Sequence, residues 1–390
     1  MPLTLVIQAG LPAMQDGWQV NRRRGQYNPI TRRIFMNSGI SRRGYISLLA
    51  LCGPAAWLST CADSVMAQPF RQGRRRPSWQ QQLKMAIRSG NSLEPCTVRL
   101  RYASRVHWYV RDGYRYCDSN DIPDHKVGRF PDRGNPNSIS PQDFHFRMPL
   151  HPRRAEQLMA LENRIDFGVG LDGVPFDPGT ALFWESKRGS IWNYDILTGF
   201  GNLGADASHA HVQFDGTYHY HGVPTELIKH LHGWGKVTLV GYAADGFPIY
   251  GPWGYAEADN PHSEVRVLRS SYRIKSGRRP DPPDGPGGRY TGMYTGDWEF
   301  VRSHGDLDAA NGRFGVTPEY PDGTYYYVIS NQFPYIPRYF RGTPDRSFYK
   351  QPPGGGRRGR NGPGGGFGPG GGFGPGGGFG PGGGFGPGGG

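Results

Sequence analysis

The chain has 390 residues, a formal net charge of +13, 62 glycines and only 4 cysteines. The charge suggests nucleic-acid binding, yet residues 91–350 carry 29 basic and 30 acidic side chains, so the excess lies outside this central part. A basic run such as Arg74–Arg76 is typical of a solvated tether rather than of a reader of bases, and we expect no specific nucleic-acid partner.

Residues 1–67 have the pattern of an export leader. Arg42-Arg43 precedes an apolar run that ends near Leu58, and Val65–Ala67 offers small residues for cleavage. This order predicts twin-arginine export and a periplasmic, cell-surface or secreted protein. The apolar run is too short for a permanent transmembrane helix. Met36 is an alternative start of the protein.

The four cysteines divide between the leader and the rest of the chain. Cys52 and Cys61 belong to the leader, where Cys61 follows a poor match to a lipid-attachment box and its lipidation stays open. Cys96 and Cys117 remain as an even pair in an oxidising compartment, which predicts a disulfide. The alternative is a pair of thiolate metal ligands, which this compartment disfavours.

Low-complexity segments flank the central part of the chain. Residues 68–94 are interpreted as a basic linker and residues 346–390 as an arginine- and glycine-rich tail. From Gly362 the tail repeats Gly-Pro-Gly-Gly-Gly-Phe four times and ends in a truncated fifth copy. Such a composition buries little apolar surface and predicts disorder. We interpret it as a segment that contacts a cell-surface or extracellular polymer or protein.

Residues 95–345 are predicted to form one mainly β domain, an antiparallel sandwich or barrel-like fold with one or two short helices. Short aromatic and β-branched runs alternate with Gly, Pro, Asn and Asp, as expected for such a domain. The helices are predicted at residues 152–161 and at residues 226–232 with Thr225 as the cap. The predicted strands are residues 97–102, 106–110, 164–171, 211–214, 218–221, 236–242, 265–274 and 325–329.

The sequence repeats one short pattern. Asp215–Tyr220 reads Asp-Gly-Thr-Tyr-His-Tyr, and Asp322–Tyr327 reads Asp-Gly-Thr-Tyr-Tyr-Tyr. Both copies place a turn pair before a Thr-Tyr-x-Tyr strand, which predicts two related hairpins. The second copy lacks the histidines, so a metal site built on this motif can form only in the first.

Several distinctive segments follow one another along the central part of the chain. They are Ile122–His125, Arg133–Asn137, Gly173–Gly179, Trp192–Tyr194, Ala210–Gln213, Tyr218–His221, Gly241–Pro252, Val316–Tyr325 and Phe333–Tyr335. In this order they resemble the YHYH domain family. The resemblance implies a secreted or surface protein with a β-rich domain and no settled reaction. Some relatives carry histidines in the second tyrosine strand as well, and this chain departs from them there.

Six of the 12 histidines fall within 24 residues. Residues two apart on a helix point to nearly opposite sides, so the pair in the predicted helix cannot chelate a metal and is assigned to a polar helix surface or a capping role. Residues two apart on a strand share a face. The three His-x-His pairs are His209 with His211, His219 with His221, and His230 with His232.

The register of the hairpin decides which histidines meet. A two-residue Asp215-Gly216 loop places the first two histidine pairs on opposite faces. A three-residue loop of residues 215–217 pairs His211 with His221 and gathers both pairs on one face. The Asp-Gly dipeptide favours the two-residue turn, and a loop of another length stays open.

The functional hypothesis is a transition-metal site, copper or zinc, with His219 and His221 as central ligands and His211 as the third. Imidazole nitrogen suits both metals, and an acidic residue or water would complete the site. The structural alternative is a tyrosine-rich strand whose histidines hydrogen-bond to carboxylates and backbone. Two further functions stay open, a non-catalytic cell-surface or matrix module and a hydrolase that acts on an extracellular polymer. No catalytic residue is assigned.

Overall fold

The fold is known from a computed structural model. The chain divides into two units, Met1–Phe348 and Tyr349–Gly390. The strands and helices belong to the first unit. The predicted leader, most of the basic linker and the glycine-rich repeats lie outside the described residues. The described residues are 78, 80–81, 83–84 and 90–350.

A three-stranded antiparallel sheet begins the described fold, in the order β1-β2-β3. Asp112 and Gly113 join β1 to β2 with φ of 51° and 76°, the left-handed pair that a tight hairpin requires. Trp108 from the inner face packs against Tyr242 of the central sheet, with ring centroids 5.7 Å apart. The strands are β1 (Val106–Arg111), β2 (Tyr114–Ser119) and β3 (Phe144–Pro149).

The central sheet has eight strands in the order β15-β16-β10-β9-β5-β6-β8-β7, and it mixes antiparallel and parallel pairs. Its inner strands β5, β6, β8, β9 and β10 are buried throughout, so most of them read as continuous rather than alternating runs. The strands are β5 (Gly168–Gly170), β6 (Pro175–Phe176), β7 (Ala210–Val212), β8 (Tyr218–Tyr220), β9 (Leu239–Ala243), β10 (Pro248–Tyr250), β15 (Gly312–Thr317) and β16 (Tyr320–Val328).

This sheet has an internal two-fold arrangement around the β5–β9 pair. β5 pairs antiparallel with β9, and Val169 lies opposite Tyr242. On either side follow a hairpin partner, a parallel neighbour and an antiparallel edge strand: β6, β8 and β7 in the first half, β10, β16 and β15 in the second. The predicted pair of related hairpins is therefore present, and each hairpin belongs to a four-stranded half of the sheet. The turn predicted at Asp322-Gly323 is wrong, because both residues lie within β16 and the second hairpin turns at Pro318-Glu319, between Thr317 and Tyr320.

Matching tyrosine–aspartate bonds tie each half together. Tyr220 donates its hydroxyl to Asp172 at 2.6 Å, and Tyr327 donates its hydroxyl to Asp245 at 2.5 Å. Both aspartates open the turn of a hairpin, β5–β6 or β9–β10, and both tyrosines are buried. A buried hydroxyl needs a partner, and these bonds fix the hairpin against its parallel neighbour.

A second set of bonds repeats at the outer hairpins. Tyr218 donates to Asp206 at 2.8 Å, and Tyr325 donates to Asp308 at 3.1 Å. Each aspartate also receives backbone N–H groups of the loop that leads into the edge strand. The Thr-Tyr-x-Tyr pattern is thus a structural device of the fold, in which both tyrosines anchor carboxylates.

Smaller elements surround the central sheet. These are three short sheets, the α-helix α1 (Thr225–His230) and 3₁₀ turns. Gln80, Gln81, Leu83 and Lys84, near the start of the described residues, are also helical. The short sheets pair β4 (Met159–Ala160) with β17 (Tyr339–Phe340), β11 (Trp253–Tyr255) with β12 (Val265–Val267), and β13 (Tyr272–Ile274) with β14 (Trp298–Phe300). The 3₁₀ turns are Trp184–Ser186, Thr295–Asp297 and Arg346–Phe348.

The predicted mainly β class is confirmed, and the described sheets form no closed barrel. The helix predicted at residues 152–161 is wrong. Met159–Ala160 is instead a strand, because it pairs with Tyr339–Phe340 from a distant part of the chain. The helix after Pro224 is confirmed but ends earlier, at His230. In the described part of the chain, no helix has the length and apolarity needed to cross a membrane.

The predicted disulfide between Cys96 and Cys117 is not formed, and both thiols are free. Cys117 belongs to β2 and turns into the hydrophobic core, where burial and then the charge of Asp172 raise its pKa well above the usual value. Cys96 lies beside Asp206, and burial raises its pKa to about 12. The two thiols thus lie in different surroundings, Cys117 in the core and Cys96 beside Asp206, which cysteine spacing does not reveal.

Candidate metal centre

The loop of the β7–β8 hairpin sets the strand register, and the position of His211 in the site depends on that register. Its loop has three residues, Phe214–Gly216, because Gln213 pairs with Thr217 through an N–H···O bond of 2.8 Å. Gly216 has φ of 92°, and a Cβ at this position would lie 2.0 Å from the Ser140 hydroxyl oxygen. Only glycine fits such a position, which ends a three-residue loop in the left-handed conformation.

This register differs from both detailed alternatives derived from the sequence. The favoured two-residue turn is wrong, and the three-residue loop is shifted by one residue from the one that was considered. As a result, His211 lies directly opposite His219 rather than His221. Facing residues share a side of the sheet, so the observed register brings His211 to the side that carries His219 and His221.

Three imidazoles meet at one point. The Nε2 atom of His221 lies 3.1 Å from Nε2 of His211 and 2.9 Å from Nε2 of His219. The ring centroids are 4.6–4.7 Å apart in all three pairs. The three predicted ligand residues therefore form one compact group of nitrogen donors, within the spacing that a single metal ion needs.

The outer nitrogens of two rings are held by backbone carbonyls. Nδ1 of His211 lies 3.2 Å from the Leu203 oxygen, and Nδ1 of His219 lies 3.3 Å from the Thr217 oxygen. A carbonyl only accepts hydrogen bonds, so each neutral ring carries its hydrogen on Nδ1 and keeps a lone pair on Nε2. Both lone pairs point toward His221 Nε2, where a cation would be attracted.

The centre is mostly shielded from solvent. His219 and His221 are 2% and 4% exposed, whereas His211 is half-buried and forms the open side of the group. Burial lowers the pKa of His211 to about 4, so this ring is neutral at physiological pH. A neutral imidazole is the form that binds a metal, and no proton has to leave first.

The group contains no carboxylate, contrary to the acidic fourth ligand considered from the sequence. Asp177 is the nearby acid whose charge acts on His211, but its side chain accepts a hydrogen bond from Gln213 Nε2 at 3.0 Å. Asp172 and Asp206 belong to the tyrosine bonds on the other face of β8. The arrangement is a three-nitrogen site with one open side.

The remaining histidines of the run lie elsewhere. His209 precedes β7 with φ of 54°, and its Nδ1 donates to the Val223 oxygen at 2.9 Å, so its ring stays outside the group. His230 and His232 are exposed, and His230 pairs with Asp124 at 3.2 Å. The predicted assignment to a polar helix surface is confirmed for His230, whereas His232 lies beyond the end of the helix.

His125 is a residue whose importance the sequence reasoning missed. Its Nε2 atom lies 2.7 Å from the Tyr220 hydroxyl and 3.4 Å from Asp172, directly behind the metal centre. Burial lowers its pKa, but the hydrogen bond and the charge of Asp172 outweigh burial, so the pKa of His125 is raised overall. The sequence singled out His125 only as part of the segment Ile122–His125. That segment does not indicate that His125 contacts Tyr220.

Comparison with known proteins identifies one family. A family model described as "YHYH protein" matches residues 145–342, just over half of the chain, including all three ligand candidates. No curated protein matches the chain. No solved structure matches it either.

Proposed function

The chain belongs to the YHYH protein family, and we propose that it binds one copper or zinc ion through His211, His219 and His221. The observation that carries the proposal is the convergence of three Nε2 atoms, two of the separations being 2.9 and 3.1 Å. A metal about 2 Å from each nitrogen would hold neighbouring nitrogens about 3 Å apart.

The ligand set supports copper or zinc over harder ions. Magnesium and calcium prefer oxygen ligands, whereas imidazole nitrogen suits copper and zinc. The carbonyl bonds to Nδ1 of His211 and His219 are the outer contacts that usually orient metal-binding imidazoles. The open side next to His211 leaves room for water or another small ligand on the metal.

The second half of the sheet supports a functional rather than a structural role for the histidines. The positions equivalent to His211 and His219 hold Arg313 and Tyr326, and Arg313 Nε donates to the Tyr326 hydroxyl at 2.6 Å. The same strand arrangement therefore forms without a histidine group. What the first half gains from its histidines is a set of lone pairs directed at one point.

We also propose that the protein acts outside the cytoplasm after twin-arginine export. Arg42-Arg43, the apolar run that follows it and the small residues Val65–Ala67 support this assignment. Twin-arginine export carries folded proteins, so the metal could be loaded before export. The Gly-Pro-Gly-Gly-Gly-Phe repeats support a contact of the tail with an extracellular polymer or a surface protein.

Metal analysis of the full chain, purified without an affinity tag, tests the proposal. The chain is stripped with a chelator, reloaded separately with Cu(II) and Zn(II), desalted and assayed for bound metal. We expect one ion per chain, and its loss in the double variant His219→Ala with His221→Ala. The matched control is His230→Ala, which removes an exposed histidine and should leave the stoichiometry unchanged. Equal metal content in the double variant and the wild type would refute the proposal.

A further inference from the structure

A cavity of about 250 Å³ lies next to the metal-binding hairpin. Its described lining contains apolar side chains, amides, the hydroxyl side chains of Ser330 and Tyr335, and one imidazole, but no carboxylate and no basic amine. Such a lining gives no counter-charge to an ion, so it favours a neutral ligand. The lining includes Ile196, Leu197, His209, Val223 and Asn331.

His209 supplies a polar group with a fixed orientation to this cavity. Its Nδ1 donates to the Val223 oxygen at 2.9 Å, which fixes the ring orientation and leaves the lone pair on Nε2. No described residue forms a hydrogen bond with that Nε2 atom. The ring therefore offers one oriented acceptor to whatever enters the cavity.

The second half of the sheet has a position equivalent to His209, and comparing the two separates the role of the backbone from the role of the side chain. Asn311 occupies the equivalent position in the second half, with φ of 52° against 54° at His209. Asn311 turns its amide inward and donates to the Val328 oxygen and the Ser330 hydroxyl. The left-handed backbone thus belongs to the repeat, and asparagine tolerates it well. The imidazole in the first half goes beyond what the fold requires.

We propose that this cavity binds one neutral, polyhydroxylated ring of the size of a monosaccharide. One hydroxyl of the ligand would donate to His209 Nε2, and the exposed amide of Asn331 can donate to or accept from another. Ile196, Leu197 and Val223 offer an apolar wall for the C–H face of the ring. Since pockets for drug-sized ligands are about 300–1,000 Å³, this volume suits a single ring rather than a chain.

The sugar site and the metal centre are neighbours but have separate donors. The His221 N–H donates to the His209 oxygen at 2.7 Å, so the two sites share backbone, whereas the ring of His209 is not in the metal group. The proposal therefore does not rest on metal binding. Variants can remove either site alone, which keeps the two proposals distinguishable.

The test uses the metal-stripped full chain and three probes: glucose, galactose and N-acetylglucosamine. Each is titrated at millimolar concentration and followed by saturation-transfer NMR, with gluconate as a charged comparison. We expect at least one neutral sugar to bind and gluconate to bind more weakly. His209→Asn keeps the left-handed backbone and should weaken sugar binding about tenfold, the effect of one lost hydrogen bond.

Two further variants keep the result interpretable. Asn331→Ala changes an exposed side chain, so the fold is retained, and it should weaken sugar binding severalfold. His230→Asn, on the exposed helix surface, should leave sugar binding unchanged. The proposal is overturned if none of the three sugars shows saturation transfer, or if His209→Asn and Asn331→Ala both bind sugar as well as the wild type. Metal content of His209→Asn should remain that of the wild type.

Discussion

His211 and His219 are direct cross-strand partners in the β7–β8 hairpin. That pairing places His211 beside the two histidines of the Tyr-His-Tyr-His tetrad. A shift of one residue would present His211 to a tyrosine instead and would divide the ligands between two faces. The metal centre thus depends on the register of one short loop.

Gly216 holds this register, and its replacement by alanine should disturb both stability and metal binding. The added Cβ would meet the Ser140 hydroxyl, and φ of 92° is strained for alanine. We expect Gly216→Ala to lower the free energy of unfolding by about 1–3 kcal/mol and to reduce bound metal. Urea unfolding and metal analysis measure the two effects.

The control for that variant is Gly235→Ala. Gly235 also has a positive φ, 74°, but a Cβ there meets nothing within 4 Å. It should cost less stability and leave metal content unchanged. If both variants lose metal equally, the register argument is incorrect.

Metal should stabilise the folded protein by mass action. A ligand that binds only the folded state adds about 2.7 kcal/mol when its free concentration is 100 times the Kd. We expect Zn(II) to raise the midpoint of thermal unfolding of the wild type but not of His211→Ala with His219→Ala. Calorimetric scans with and without metal would show this, and an equal shift in both proteins would contradict the site.

The tyrosine hydroxyls of the two halves should contribute to stability independently of metal. Tyr220→Phe leaves Asp172 and His125 without the hydroxyl between them, and Tyr327→Phe removes the hydroxyl partner of Asp245. Each should lower the free energy of unfolding by about 1–3 kcal/mol, the cost of leaving a buried polar group with a lost partner.

Chemical denaturation of the metal-free variants measures these losses. Tyr290→Phe is the matched control, because no described residue forms a hydrogen bond with the Tyr290 hydroxyl. A loss no greater than that of Tyr290→Phe would argue against the anchoring role. Comparing Tyr220→Phe with Tyr327→Phe also tests whether the two hydroxyls contribute equally to the free energy of unfolding.

His211 should make the metal-free protein less stable in acid. Its pKa is about 4 in the folded state against an ordinary value of 6.5, so the unfolded chain binds the proton more readily between these values. Its contribution is fully present above pH 6.5 and declines by about 3 kcal/mol as the pH falls toward 4. Asp245, with a raised pKa of about 6, acts in the opposite direction.

The difference between wild type and His211→Gln isolates this contribution, because the Asp245 term cancels between them. Urea denaturation in chelator at pH 7 and near pH 4 should show a smaller acid loss in the variant. Identical pH dependence of the two proteins would mean that His211 is not buried in its neutral form.

The sequence by itself predicted a good part of this fold. The Asp-Gly-Thr-Tyr-x-Tyr pattern occurs twice, so strand propensity was enough to identify both tyrosine strands. Local turn chemistry located only the first loop, because the second hairpin turns at Pro318-Glu319 rather than at Asp322-Gly323. The sequence did not reveal that Asp172 and Asp245 are the partners of Tyr220 and Tyr327, because those contacts join residues 48 and 82 positions apart. The strand at Met159–Ala160 was missed for the same reason.

For the site, the sequence determined which groups are available: paired imidazoles on a strand. Tertiary structure decided how they are used. The fit of Gly216 against Ser140 set the loop, and the left-handed backbone turned the His209 ring away from the metal group. The fold also left Cys96 and Cys117 as free thiols. The identity of each residue determines its side-chain chemistry, whereas strand register and burial depend on contacts between residues distant in the chain.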